Sequence, residues 1–293
     1  MSTNSSIAAY KKYKALIEEH ILDFIPEIDQ RSKDLYDAMK YSLLTGGKRI
    51  RPVLVMAACD MFNLPENFVL PNACAIEYIH TYSLIHDDLP AMDNDDFRRG
   101  NPTCHKAFGE ANAILAGDGL LSAAFETLSK DMLLYMDDEK LLKRKVRALF
   151  SLAKGCGVRG MVAGQVSDIE SEDTQVSEDL LNYINYNKTA MLIRASVLSG
   201  GFLGGMDDNT RQDLATYGEN IGMAFQIVDD IADIKSGQDE GKNTFPGVFG
   251  MERSVELARD YIDKAKAAIE KYYDHAEVYR YLAELLEDKL NDR

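Results

Sequence analysis

Apolar residues recur along this chain at the three- to four-residue interval of a helix face over almost every long segment. No Asn-Gly or Asp-Gly pair sits between alternating runs that would fold as a hairpin. The pattern predicts an all-α protein. Helices are expected over Ile7 to Phe24, with Pro26 shortly beyond, and over Ser32 to Leu44, closed by Gly46 and Gly47. Pro52 to Phe62, Phe68 to Asp88, Glu110 to Leu134, Asp138 to Lys154 and Arg159 to Ser171 follow. Ser177 is a good N-cap for a helix reaching about Ser199, with Glu178 and Asp179 in its first turn. Asp208 or Asn209 caps the next; a Gly-rich stretch, KSGQDEGKNTFP, and two amphipathic helices complete the chain.

The 293 residues allow one large domain or two with a substantial core, and no segment reads as a linker, repeat or low-complexity tract. A net charge of −15 argues against nucleic acid and anionic membrane surfaces as partners, so clustered basic residues carry information. The four cysteines lack metal-ligand spacing and read as buried thiols of a reducing compartment. The N-terminal MSTNSSIAAYKKYK has no signal-type apolar core, and no apolar run approaches a membrane span. A soluble, cytoplasmic protein is expected.

Two acidic stretches change the picture. In HDDLPAMDNDDFRRG, His86 to Gly100, five aspartates precede Arg98 and Arg99; in QIVDDIAD, Gln226 to Asp233, three more adjoin apolar residues. One such run reads as a solvated helix end, but two, each ending an apolar stretch, want a cation. Two carboxylates about 5 Å apart repel by roughly 3 kcal/mol at an effective dielectric of 20. All-carboxylate donors suit magnesium, which is completed by waters and substrate phosphates. Asp229 and Asp233 fall roughly 40° apart on a helix, with Asp230 beside them. Asp87 and Asp93 would be about 240° apart, so Pro90 must break the helix to bring Asp93 or Asp95 round to Asp87.

Anion-suited groups recur elsewhere. GGKRIRP places Lys48, Arg49 and Arg51 after two glycines at a helix opening, as either an anion site or a helix C-cap followed by solvated basics. Glu77, His80 and Thr81 share a face roughly two to three turns before Asp87, and His80, about 10 Å along the helix from it, is within reach of the far end of a diphosphate. Gln165 and Asp168 neighbour each other on a helix, as groups behind a site or as interhelical partners. Lys188 sits amid apolar residues, snorkelling or meeting an anion, and the basic face LLKRKVR reads as solvated.

Taken in order, GGKRIRP, IEYIHTYSLIHDDLPAMDNDDFRRGNPTCH, FGEANAILAGD, GMVAGQ, NKTAMLIRA and FQIVDDIAD resemble the trans-isoprenyl diphosphate synthases, most closely the bacterial farnesyl diphosphate synthases, or geranyltranstransferases. The resemblance implies one domain over residues 1–293, a single large helical bundle around a central cavity, working as a homodimer. It implies that isopentenyl diphosphate is bound by Gly47, Lys48, Arg51, His80 and Arg99. The allylic diphosphate is implied to meet Arg98, Lys188, Thr189, Gln226 and Lys242, with Lys188, Thr189 and Gln226 beside the reacting bond. Asp87, Asp88, Asp93, Asp229 and Asp233 are implied to hold magnesium, three ions bound with that diphosphate.

Family resemblance also implies that the residues just above the first acidic motif, Tyr82 and Ser83, set product length, with a tyrosine there resembling the farnesyl makers. The chain departs from the family in a shortened loop, KSGQDE, where Lys235 or, preferably, Lys242 would replace a missing lysine. A longer-chain geranylgeranyl synthase and a non-catalytic partner subunit are the alternatives, although the latter commonly lacks one acidic cluster. A terpene cyclase needs no second diphosphate site, and a ferritin-like metal bundle needs Glu-x-x-His pairs.

Overall fold

Helical periodicity is realised throughout the computed structural model, which describes residues 3–27, 29–171, 174–236 and 243–291. The first helices are α1 (Thr3–His20) and α2 (Lys33–Leu44). The expected helix from Pro52 to Phe62 is two, α3 (Ile50–Met56) and α4 (Ala58–Phe62), broken at Ala57. Then come α5 (Glu66–Asp87), strands β1 (Phe97–Arg98) and β2 (Asn101–Pro102), α6 (Cys104–Phe108), α7 (Glu110–Leu133), α8 (Glu139–Cys156) and α9 (Met161–Ser171). The strands are an addition to the all-α expectation. They form a two-residue antiparallel hairpin whose turn residues, Arg99 and Gly100, both have positive φ, as a tight primed turn requires.

Ser177 caps α10 (Glu178–Asn185) as expected, accepting from Leu180 N–H at 3.2 Å. The predicted continuous helix to Ser199 is interrupted by a π-turn, Tyr186–Ala190, before α11 (Met191–Gly204). The following helix, α12 (Asp208–Ser236), is capped one residue earlier than expected, by Asp207, whose carboxylate accepts from Thr210 N–H at 2.7 Å. Last are α13 (Phe245–Phe249), α14 (Met251–Ile269) and α15 (Glu277–Asn291).

α5 and α11 lie at the centre because they are apolar on nearly all sides: Phe68–Tyr82 is almost unbrokenly buried, as is Met191–Gly201. They pack on each other, and α2, α3, α7, α8 and α12 pack around them. α8, α14 and α15 are amphipathic and bury one stripe each.

Lys145, expected on the solvated face of α8, is instead 2% exposed. Its ammonium lies 2.6 Å from Asp131, donates to the Phe68 carbonyl at 2.6 Å and sits 3.9 Å from the Phe68 ring centroid. Removing one member of a buried pair strands the other charge and costs about 3–5 kcal/mol. Urea denaturation of Lys145→Met is expected to show a loss of about 3 kcal/mol, most of it restored by adding Asp131→Leu. Equal stability of the single variant and the parent would contradict the pair's anchoring role.

Candidate active site

A cavity of about 780 Å³ opens beside the C-terminal half of α5, and Asp87 and Asp229, one from each acidic stretch, both line it. The two stretches therefore share one hollow. α5 ends at Asp87, and the chain through Pro90 folds back so that Asp93 N–H donates to the Asp87 carbonyl at 2.9 Å. Of the two candidates, Asp93 is the one tied to Asp87. Asp95 faces Arg98 instead, at 3.6 Å.

Asp88 is buried and turned to Arg98, which donates from Nε at 2.6 Å and places Nη2 2.5 Å away. On α12, Asp229 faces the cavity, Asp233 follows one turn later and half-buried, and Asp230 is a structural group. Its carboxylate accepts from Gln226 Nε2 at 2.8 Å and from Phe245 N–H at 2.9 Å, fastening α13 to α12.

No three Asp, Glu, His or Cys side chains among the described residues converge to cage a metal ion. Asp87 and Asp229 each present a carboxylate to the cavity. That fits magnesium, whose shell is finished by water and phosphate oxygens.

Cationic residues line the same cavity beside the carboxylates. Gly46, Gly47 and Arg49 all have positive φ, which folds GGKRIRP back on itself at the start of α3. Arg49 borders the cavity but is not solvated: it is buried against Glu77, with Nη1 to Oε1 at 2.6 Å, and donates to the Leu43 carbonyl at 2.5 Å. Lys48 and Arg51 line the cavity with His80 and Arg99. Arg51 Nη1 lies 3.3 Å from His80 Nε2. Because guanidinium only donates, that nitrogen accepts, so His80 is neutral with its proton on Nδ1. Burial, with Arg51 and Arg99 nearby, keeps the imidazole well below its usual pKa.

Burial also pulls Arg51 down to about 10, still cationic at neutral pH, and its Nε is buried with no hydrogen-bond partner among the described residues. Arg99 donates to the Gly46 carbonyl and lies against Gly47, where a Cβ would come within 2.6 Å of the guanidinium carbon. This wall has donors to spare and few acceptors, the reverse of the acidic side.

The π-turn presents Lys188 and Thr189 to the same cavity. α9 and α12 clamp the turn at two glycines. A Cβ on Gly164 would lie 2.7 Å from Lys188 Cα, and one on Gly222 2.6 Å from Ala190 Cα. Lys188 pairs with Asp168 at 2.6 Å, which resolves both residues' sequence alternatives into one interhelical pair beside the site. Thr189 Oγ1 donates to Gln226 Oε1 at 2.9 Å.

Apolar walls complete the hollow. Tyr82 and Ser83 line it from α5, with Tyr82 set edge-to-face on His86 at 5.7 Å. Val162, Val166 and Ile169 line it from α9, a stripe at helical spacing that the sequence displays but motif reading passed over. Also unforeseen is Lys289 of α15, whose Nζ lies 3.4 Å from Asp229 Oδ1. Only tertiary folding brings it there. Lys235 lies at the end of α12, and Lys242 falls outside the described residues.

Residues 32–282 match the polyprenyl synthetase family. The chain is 40% identical to a farnesyl diphosphate synthase of Geobacillus stearothermophilus, over 93% of this chain and 94% of that one. It is 48% identical to the heterodimeric geranylgeranyl pyrophosphate synthase large subunit 1, chloroplastic, of Arabidopsis thaliana, over 76% of this chain; the match spans only 63% of that relative's length. Among solved structures, a geranyltransferase from Legionella pneumophila superposes with a TM-score of 0.89 at 34% identity, covering 99% of this chain and 100% of that one.

Burial pushes the Asp87 carboxyl up to about 6, against the pull of Lys188 and Arg98 and with the push of Asp93 and Asp88. A carboxyl raised above its unfolded value of about 3.9 costs stability as pH rises between the two values, and the full cost is present at neutral pH. Asp87→Asn is therefore expected to raise the unfolding free energy at pH 7.5 by about 1–2 kcal/mol, the gain shrinking toward zero near pH 4. Urea melts across that range check it; a destabilised variant at pH 7.5 would contradict the assignment.

Proposed function

The chain belongs to the polyprenyl synthetase family and is a prenyltransferase, and on that premise we propose that it condenses isopentenyl diphosphate with dimethylallyl or geranyl diphosphate to give (2E,6E)-farnesyl diphosphate and diphosphate. The observation that carries this reading is the polarity of one cavity. Carboxylates, a donor-rich set of cations and apolar side chains all line it. Such a hollow takes two diphosphates and a hydrocarbon chain.

Isopentenyl diphosphate binds along Gly47, Lys48, Arg51, His80 and Arg99. Neutral His80 accepts from Arg51, keeping the guanidinium aimed, and the orphaned Arg51 Nε offers a further hydrogen bond. The allylic diphosphate lies between Asp87 and Asp93 on one side and Asp229 and Asp233 on the other, which would hold magnesium with it; Asp88, paired with Arg98, would join them by releasing it. Bound magnesium supplies positive charge to the leaving oxygens.

Lys188, fixed by Asp168, and Arg98 add charge-assisted hydrogen bonds where negative charge develops. Thr189 and Gln226, locked together, place their dipoles beside the departing group. The allylic carbon-oxygen bond breaks with its electron pair going to diphosphate. The double bond of isopentenyl diphosphate attacks the cation, a carbon-carbon bond forms, and a proton passes to the released diphosphate. No protein base is required. Val162, Val166, Ile169 and Tyr82 give the hydrocarbon chain and the cation an apolar surface to lie against.

Tyr82, 8% exposed at the floor, supports a limit of fifteen carbons. A geranylgeranyl product is the second reading, favoured by similarity to plant geranylgeranyl pyrophosphate synthases. Exposed Ile114 and Leu115 on α7 and Val146 and Phe150 on α8 support a homodimer, and four free buried cysteines support a cytoplasmic location.

Purified protein incubated with isopentenyl diphosphate, each allylic primer and magnesium is expected to yield farnesol after phosphatase treatment, and nothing with chelator present. Asp87→Ala is expected to lower kcat about a hundredfold or more. Arg51→Ala is expected chiefly to raise KM for isopentenyl diphosphate, about tenfold. The reverse pattern would mean that the two subsites are exchanged. Tyr82→Ala should lengthen the product; fifteen carbons from that variant would place the floor elsewhere.

A further inference from the structure

Lys289 has no part in the chemistry above, yet it reaches the second acidic set. Its Nζ lies 3.4 Å from Asp229 Oδ1, and Lys48 Nζ lies 3.6 Å from the same oxygen. Two ammonium groups crowding one carboxylate oxygen repel each other, and only the shared anion makes the arrangement favourable. Lys48 already has a place in the cationic wall and stacks its ammonium 5.3 Å from the Phe225 ring. Lys289 approaches from the other side of that wall. It lines a separate apolar chamber of about 270 Å³ between α12 and α15, which shares Lys48, Ile50 and Phe225 with the main cavity. The Lys289 side chain is about a third exposed, so the ammonium can swing away into water. The rest of α15 is held independently, by Arg259 to Asn291 at 2.6 Å and by the Lys266–Glu287 pair.

We propose that Lys289 is a displaceable stand-in cation for Asp229: it neutralises this carboxylate while the second acidic set is unloaded, yields when a divalent ion arrives, and so sets how tightly that set takes its metal. The proposal rests on the metal-binding reading above. It assigns Lys289 a positioning and tuning role, without contact to substrate or the reacting atoms. Metal would bind Asp229 less tightly than it would without Lys289, because it must displace an ammonium that is already in place.

The test is titration of the full-length protein with Mn²⁺ in the presence of pyrophosphate, free Mn²⁺ being read by electron paramagnetic resonance. The Lys289 side chain is about a third exposed, and a pair of that kind is worth enough to shift affinity by roughly two- to fivefold. Lys289→Met and, as a second neutral replacement, Lys289→Gln are expected to bind Mn²⁺ about two- to fivefold more tightly than the parent. Lys289→Arg should keep the parental value, and the differences should narrow in high salt. Unchanged affinity in both neutral variants would overturn the proposal. Weaker binding would also overturn it, making Lys289 a ligand of the anion instead of a rival of the metal. A parent protein that takes up no Mn²⁺ with pyrophosphate would overturn the functional reading itself, and this inference with it.

Discussion

The structure is governed by one electrostatic difficulty: charges of both signs are drawn out of water around a single hollow. Burial pushes Asp87 up to about 6 and draws Arg51 down to about 10, and it leaves His80 uncharged. Left to relax, such groups would turn to water or to one another. Several already do so as far as geometry allows: Arg98 to Asp88, Lys188 to Asp168, Lys48 and Lys289 to Asp229. Among the described residues Arg51 Nε is left without a hydrogen-bond partner, and on the proposed reading a diphosphate with divalent cations would satisfy donors and carboxylates together.

The helices exist in this arrangement to keep those groups from relaxing. α5 and α12 are long, their buried faces allow little rotation, and each delivers an acidic set at a fixed place on the cavity. Between them the π-turn carries Lys188 and Thr189 at a depth set by Gly164 and Gly222, where any side chain would force the helices apart. Deeper in the protein, Arg49–Glu77 and Lys145–Asp131 are paired charges taken wholly out of solvent. They tie the loop before α3 to α5, and α7 to α8. The cost of separating either pair resists the slippage of helices past each other.

Much of this was legible in local sequence because helical spacing decides it. The presentation of Asp229 follows from period 3.6 alone, and the break after Asp87 follows from Pro90. The sequence left open whether Asp93 or Asp95 returns to Asp87; the hydrogen bond from Asp93 N–H to the Asp87 carbonyl decides it, a matter of loop geometry rather than composition. Lys145 looked solvated because its neighbours on α8 are charged, and only the packing of Asp131 against it reverses that reading. The π-turn, the break at Ala57 and the reach of Lys289 to Asp229 are tertiary effects, produced by helices distant in sequence. The stripe Val162, Val166 and Ile169 was visible at helical spacing, but its role as cavity wall depends on which neighbour α9 faces.

The account stands on both acidic sets addressing the same bound diphosphate. Anomalous scattering from Mn²⁺ in crystals holding an unreactive thio-analogue of an allylic diphosphate tests that directly. Manganese peaks are predicted inside the shared cavity, some within bonding distance of Asp87 or Asp93 and others within bonding distance of Asp229 or Asp233, all bridged by oxygens of one diphosphate. Manganese bound to only one of the two sets, or a diphosphate lying outside the hollow between them, would contradict it.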